Sequence, residues 1–195
     1  AALQKKALPL MDLYREDQAA AFRAFRASDA RSAGPRTRLL ASPPLATLRE
    51  ETLQAMLSAR DLPPADGRRI LEHAAAQRER LAAVLSHSPV SDAFPALTRE
   101  EFAQYPPALP LSELFFDRNL RYTYEEYCRH IEETQAFAAA HSGYSLRPCD
   151  AAFRNISIAV RTGEWALVSK SSSPAIHFVI RYSKLRGAIE AFLGE

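Results

Sequence analysis

The residues best suited to chemistry gather near the end of the chain. Ser169, Ser171, Ser172 and Ser173 surround Lys170, and His177 follows shortly after. A serine beside an amine or an imidazole can be activated as a nucleophile. The glycine elbow that presents such a serine between strand and helix is absent. No acidic residue stands close in sequence to orient the histidine. A serine-rich stretch between strands also reads simply as a polar loop. The same region carries Arg154, Asn155 and Arg181, and Lys170 is the only lysine between Lys6 and Lys184. Arg154, Lys170, His177 and Arg181 near one sheet suit an anion or a small ligand. The alternative is a solvated polar face.

Other chemistries find less support. The histidines His73, His87, His130, His141 and His177 show no close zinc spacing, and Cys128 with Cys149 forms no finger pattern. Cys128 falls on an apolar helix side and reads as a small core residue. The chain has no P-loop and no glycine-rich dinucleotide fingerprint, so no cofactor is expected. Phe115 and Phe116 in an apolar stretch, or an alanine-rich helix, suit either a dimer contact or plain core.

These residues need elements to position them. Asn155 to Arg161 alternates, with Ile156, Ile158 and Val160 on one side and Asn155, Ser157, Ala159 and Arg161 on the other. Thr162 and Gly163 make a two-residue hairpin turn. Trp165, Leu167 and Ser169 share a face of the returning strand. Ala175 to Arg181 is a third strand, placing His177 and Arg181 opposite Ile176, Phe178 and Ile180. Tyr144 to Arg147 is a short fourth strand. Ser183 caps a closing helix striped by Leu185, Ala188, Ile189 and Phe192.

The front half reads as helices. The first runs from about Leu10 to Ala27, and Ala30 to Ala41 reads as a loop. Ser42 and Pro43 start a second helix ending near Arg60. A third spans Pro64 to Ser86. Thr98 with Glu101 is a capping box for a short helix ending before Pro106, and Ala108 to Phe116 is an apolar strap. Thr123 with Glu126 is a second capping box, opening a helix to about His141. That helix carries Tyr124, Tyr127, Cys128, Ile131, Gln135 and Ala138 on its apolar side.

Composition agrees with this division. Seven of the 12 Val and Ile residues lie between Phe153 and Arg181, and ten of the 13 prolines between Pro35 and Pro110. The fold class expected is α+β: a helical N-terminal half, then a small, largely antiparallel sheet covered by helices. Residues 1–107 are read as a helical linker or dimerisation region and 108–195 as an α+β regulatory domain. At 195 residues, 47% hydrophobic and a net charge of +2, disorder is excluded for most of the chain. Modest charge patches argue against a nucleic-acid stripe. The absence of a long apolar run argues against a spanning helix, and two cysteines argue against a disulfide scaffold. A cytoplasmic setting is expected.

One string is more specific. Tyr122, Thr123, Tyr124, Glu125, Glu126, Tyr127 and His130 are followed by Phe153, Arg154, Asn155 and Ile156. Then come Trp165, Val168, Ser169, Lys170, and Ser173 through Ile180. This pattern resembles the C-terminal domain of helix-turn-helix transcriptional regulators from Firmicutes. The resemblance covers about Ala108 to Leu193, and more loosely the helices from Leu45. It implies a sensory or regulatory role behind a DNA-binding domain, and carries over no catalytic residue. Residues 1–60 contain no helix-turn-helix, since a long loop with Gly34 and Pro35 separates their helices. Together with a start at Ala1 rather than methionine, this implies that the DNA-binding domain was removed upstream.

The expectation is therefore a regulatory domain rather than an enzyme. It is taken to form a homodimer, to reach DNA only through the absent domain, and to bind a small-molecule or anionic effector. Arg154, Asn155, Ser169, Lys170, His177 and Arg181 are the expected ligand residues. The alternatives are a small hydrolase-like enzyme using Ser169, Lys170 and His177, and a ligand-free oligomerisation domain.

Overall fold

A computed structural model describes residues 20–111, 113–114, 120–147, 149, 155–170 and 176–194. The expected start of the first helix, Arg154, the serines at 171–173, Phe115 and Phe116 lie outside the described residues.

The fold is α+β. Helix α1 covers residues 20–29. It is followed by β1 (Arg36–Leu39), a 3-10 turn (Leu45–Thr47), α2 (Glu50–Ser58), α3 (Pro64–Leu85) and β2 (Val90–Ala93). The chain continues through α4 (Arg99–Gln104), α5 (Tyr124–Ala140), β3 (Tyr144–Arg147), β4 (Ile156–Arg161), β5 (Trp165–Lys170), β6 (Ile176–Ile180) and α6 (Ser183–Gly194). One six-stranded sheet has the order β3-β2-β1-β4-β5-β6. Its first three strands run parallel, and β4, β5 and β6 are antiparallel to their neighbours.

The local signals explain many boundaries. Pro64 stands at the start of α3, where a missing N–H costs nothing. Both capping boxes form: Thr98 with Glu101 opens α4, and Thr123 with Glu126 opens α5. Gly163 adopts a φ of 79° in the β4–β5 turn, a conformation that favours glycine. The segment expected as one helix from Ser42 to Arg60 is instead the 3-10 turn and then α2, which begins with Glu50 and Glu51 at its positive end.

The front half also contributes to the sheet. Ala30 to Ala41 holds β1, and β1 pairs with β4 and β2. Strands on both sides of residue 107 therefore share one sheet, which is mixed, with three antiparallel pairings and two parallel ones. The short Arg-Thr-Arg-Leu strand hides itself, because the side chains it turns toward the helical layer, Arg36 and Arg38, are both charged. Arg38 lies directly across from Asp92 in register. Its Nε and Nη2 donate to the Asp92 carboxylate at 2.6 Å each, and the Tyr144 hydroxyl donates to the same carboxylate at 2.5 Å. Burial opposes the Arg38 charge, but Asp92 and Tyr144 outweigh it and raise its pKa.

The two sheet faces differ. Leu39, Ala93, Ile158, Val160 and Ala166 pack with Ile189 and Leu193 of α6 on one face. On the other, Val90 and Tyr144 pack against Leu81 and Val84 of α3, and Ala159, Trp165 and Leu167 pack against Phe22 of α1. A third core joins α2, α3 and α5 through Leu48, Leu53, Ile70 and Tyr127, and takes in Leu109 and Leu111 of the strap. Helix α5 buries Tyr127, His130, Glu133 and Thr134, whereas Cys128 is only half-buried. Its buried side is thus rotated toward polar residues.

Asp92→Ala strands two buried polar groups at once. Urea unfolding of this variant should show a loss of about 3 kcal/mol or more. A loss under about 1 kcal/mol would show that the charge pair does not hold β1 against β2.

Candidate functional site

A cavity of about 510 Å³ lies between the sheet and the helical layer. It follows the face that carries Arg38, Ser157, Ala159, Trp165 and Ser169, and reaches Leu40, Ala41 and Pro95 past the carboxyl ends of β1 and β2. From β1 the chain crosses to β2 on one side, while β4 returns on the other. Open sheets form ligand crevices at such a switch point, outside the carboxyl ends of the strands.

The cavity floor carries a polar row set by strand register. Ser157 on β4 pairs with Ser169 on β5, and Ser169 pairs with His177 on β6. The Ser157 hydroxyl accepts from the Ala41 amide at 3.1 Å. His177 Nδ1 and Ser169 Oγ share a hydrogen bond of 3.0 Å. The imidazole lies flat against the Phe22 ring, with centroids 3.8 Å apart and planes 3° apart. Burial lowers the His177 pKa, with Arg26 acting in the same direction and Glu113 against it.

The six residues singled out by sequence divide accordingly. Asn155, Ser169 and His177 line the cavity. Lys170 pairs with Ile156 and Ile176, so alternation places it on the α6 side of the sheet. Arg181 lies beyond β6 and is exposed. Arg154 lies outside the described residues.

Helices supply the residues that sequence reasoning missed. Arg26 and Asp29 project from α1, and Gln77 and Arg80 from α3. His73, Gln77 and Arg80 follow one another at i, i+4 and i+7 and so share one side of α3. Arg26 donates to Gln77 Oε1 at 3.4 Å, and Gln77 Nε2 meets His73 Nε2 at 3.2 Å. Arg26 and Arg80 both face Glu113, at 4.0 and 3.7 Å. Burial works against ionisation of Glu113, but Arg26, His73 and Arg80 outweigh it and hold the carboxyl below its ordinary range. Burial pulls Arg26 below the usual arginine value, only partly offset by Glu113.

Asp29 anchors this wall. It accepts from Arg36 Nε at 3.1 Å and from Trp165 Nε1 at 3.0 Å, and Arg161 approaches to 3.7 Å. The opposite wall, at Pro44, Leu45 and Ala46, is held by α5. His130 is fully buried. Its Nε2 donates to the Pro44 carbonyl at 3.1 Å, and its Nδ1 accepts from the Tyr122 hydroxyl at 2.8 Å. Thr47 donates to the same carbonyl at 2.8 Å and bonds Thr134 at 2.6 Å. Nearby, Glu133 accepts from the Arg49 amide and the Thr52 hydroxyl at 2.7 and 2.6 Å. Burial drives the His130 pKa down to about 4, so the imidazole is neutral.

Among the described residues no group of three His, Cys, Asp or Glu side chains is placed to hold a metal ion, and no helix is long and apolar enough to cross a membrane. No family model, curated protein or solved structure matches the chain.

The His130 knot makes stability depend on pH in a defined direction. The unfolded imidazole titrates near 6.5 and the folded one near 4, so between these values the unfolded chain binds the extra proton. The contribution is complete above pH 6.5 and is lost as pH falls toward 4, by on the order of 3 kcal/mol. Urea unfolding of the chain and of His130→Gln should show a stability gap at pH 7 that narrows toward pH 4. A gap independent of pH contradicts the assignment.

Proposed function

We propose that the chain is the effector-sensing part of a bacterial transcriptional regulator, working in the cytoplasm as a homodimer. The observation that carries this reading is the cavity of about 510 Å³, walled by α1 and α3 over the polar row Ser157–Ser169–His177. Its volume suits a small organic molecule. The likeness of the Tyr122–Ile180 string to the C-terminal domains of helix-turn-helix regulators points the same way. Phe22, Arg26 and Asp29 bring the N-terminal helix into the cavity wall, so a guest acts on the segment nearest an upstream DNA-binding domain. A guest that fits one placement of α1 better than another shifts the population toward it and re-spaces paired DNA-binding domains. Exposed Phe178, Tyr182 and Leu185 offer apolar surface for association of two copies.

A second reading draws on the Ser169–His177 hydrogen bond of 3.0 Å inside the cavity. A serine paired with a neutral imidazole is half of a nucleophilic apparatus. Lys170, on the other sheet face, takes no part in that pair.

A metabolite library screened by thermal shift and Trp165 fluorescence tests the first reading. A saturating guest at 100 times its Kd should add about 2.7 kcal/mol to stability. His177→Ala should weaken it about tenfold, the loss of one good polar contact. Lys170→Ala should leave it unchanged, and a library without hits favours a ligand-free oligomerisation domain. For the second reading, a fluorophosphonate probe should label Ser169; an unlabelled Ser169 removes it.

A further inference from the structure

Two guanidinium groups in the cavity wall share one carboxylate. Arg36 is saturated by Asp29 and by the carbonyls of Asp29, Ser32 and Gly34. Arg38 is held by a bidentate pair with Asp92 through Nε and Nη2, which balances its charge. Arg26 and Arg80 have only Glu113 as a carboxylate partner among the described residues, and at 4.0 and 3.7 Å it lies beyond hydrogen-bond length from either. Their hydrogen bonds among the described residues go to Gln77 Oε1 at 3.4 Å and to the Ala76 carbonyl at 3.2 Å. Both side chains are about a quarter exposed, at 23% and 24%. Behind them the wall turns apolar, at Leu45, Leu81 and Val84.

A neutral guest would seal these cations from water without a full complement of acceptors, which is unfavourable. A cationic guest would add a like charge. An oxyanion, carboxylate or tetrahedral, presents two oxygens that match the guanidinium fork in spacing and charge. We infer that the cavity takes an anion with an apolar body, whose oxyanion is held by Arg26 and Arg80 in place of Glu113. This rests on the reading of the cavity as an effector site and names the chemistry that site selects. Glu113 and the oxyanion of the guest compete for the same guanidinium pair.

A matched pair of dyes tests the inference. One is the anion 1-anilinonaphthalene-8-sulfonate; the other is N-phenyl-1-naphthylamine, the same body without the sulfonate. Trp165 is the only tryptophan in the chain and lines the cavity, so energy transfer from it reports a dye bound there. The anionic dye should bind at least about tenfold more tightly than the neutral one, the effect of one charge-assisted contact. Arg26→Met and Arg80→Met should each cut that ratio about tenfold, and Arg26→Lys and Arg80→Lys should keep most of it. Glu113→Gln should tighten the anionic dye. Inorganic phosphate and octanoate then compete with the dye, and displacement by either supports the inference and tells a phosphate guest from a carboxylate one.

Equal affinities for the two dyes, both with energy transfer, overturn the inference and leave the effector reading standing. A ratio that Arg26→Met and Arg80→Met leave unchanged also overturns it. Absence of transfer to either dye overturns the effector reading itself. Because each variant is judged by the ratio of two dyes, a general loss of stability does not mimic the result.

Discussion

A charge that leaves water must take a partner with it, and the fully buried Asp92 takes Arg38 and Tyr144. This triad joins β1, β2 and β3, the three parallel strands, through side chains as well as backbone. A slip of one residue between β1 and β2 would turn Arg38 or Asp92 onto the apolar face beside Leu39 and Ala93. The energetic cost of such an unpaired charge fixes the register more firmly than four-residue strands could alone. With the register fixed, the cavity floor beside β1 is fixed too.

Asp29 acts on the next level. Through Arg36, Arg161 and Trp165 it ties the end of α1 to β1, β4 and β5. That tie holds Phe22 against His177 and brings Arg26 over the floor. On the far side, neutral His130 and ionised Glu133 hold the turn at Pro44 and the start of α2 from within α5. Polar side chains paired within the protein therefore hold both sides of the cavity. Arg26 and Arg80 share the one Glu113 carboxylate without a hydrogen bond to it.

The legible parts of the fold were those governed by local rules. Two capping boxes, Pro64, Gly163 and the alternation of β4 through β6 depend on neighbours within a few residues, and sequence reading located them. Strands β1 and β2 escaped because their inward residues include Arg36, Arg38 and Asp92, whose partners are set by tertiary pairing 54 residues apart for Arg38 and Asp92. Helix α5 was read with its apolar residues inward, yet it buries His130, Glu133 and Thr134, because Thr47, Thr52 and Pro44 satisfy them. Of the residues that polarity and alternation single out, Asn155 just before β4, Ser169 on β5 and His177 on β6 line the cavity. Lys170 was adjacent in sequence and opposite in space, as strand geometry requires. Arg26, Arg80 and Glu113 come from three separate segments, and no pattern along the chain unites them.

The placement of β1 at the centre of the sheet has a consequence for the order of assembly. Its partner β2 follows some fifty residues later, but β4, which pairs Arg161 with Arg36, follows about 125 residues later. As the chain emerges from synthesis, β1 keeps one edge open until β4 has been made. Open edges invite pairing with other chains, and charged side chains discourage it. Arg36 and Arg38 make β1 a poor template for a stranger, since an apolar strand laid on that edge would bring no partner for two guanidinium groups. The charges that complicate the folded interior thus protect the nascent chain on its way there.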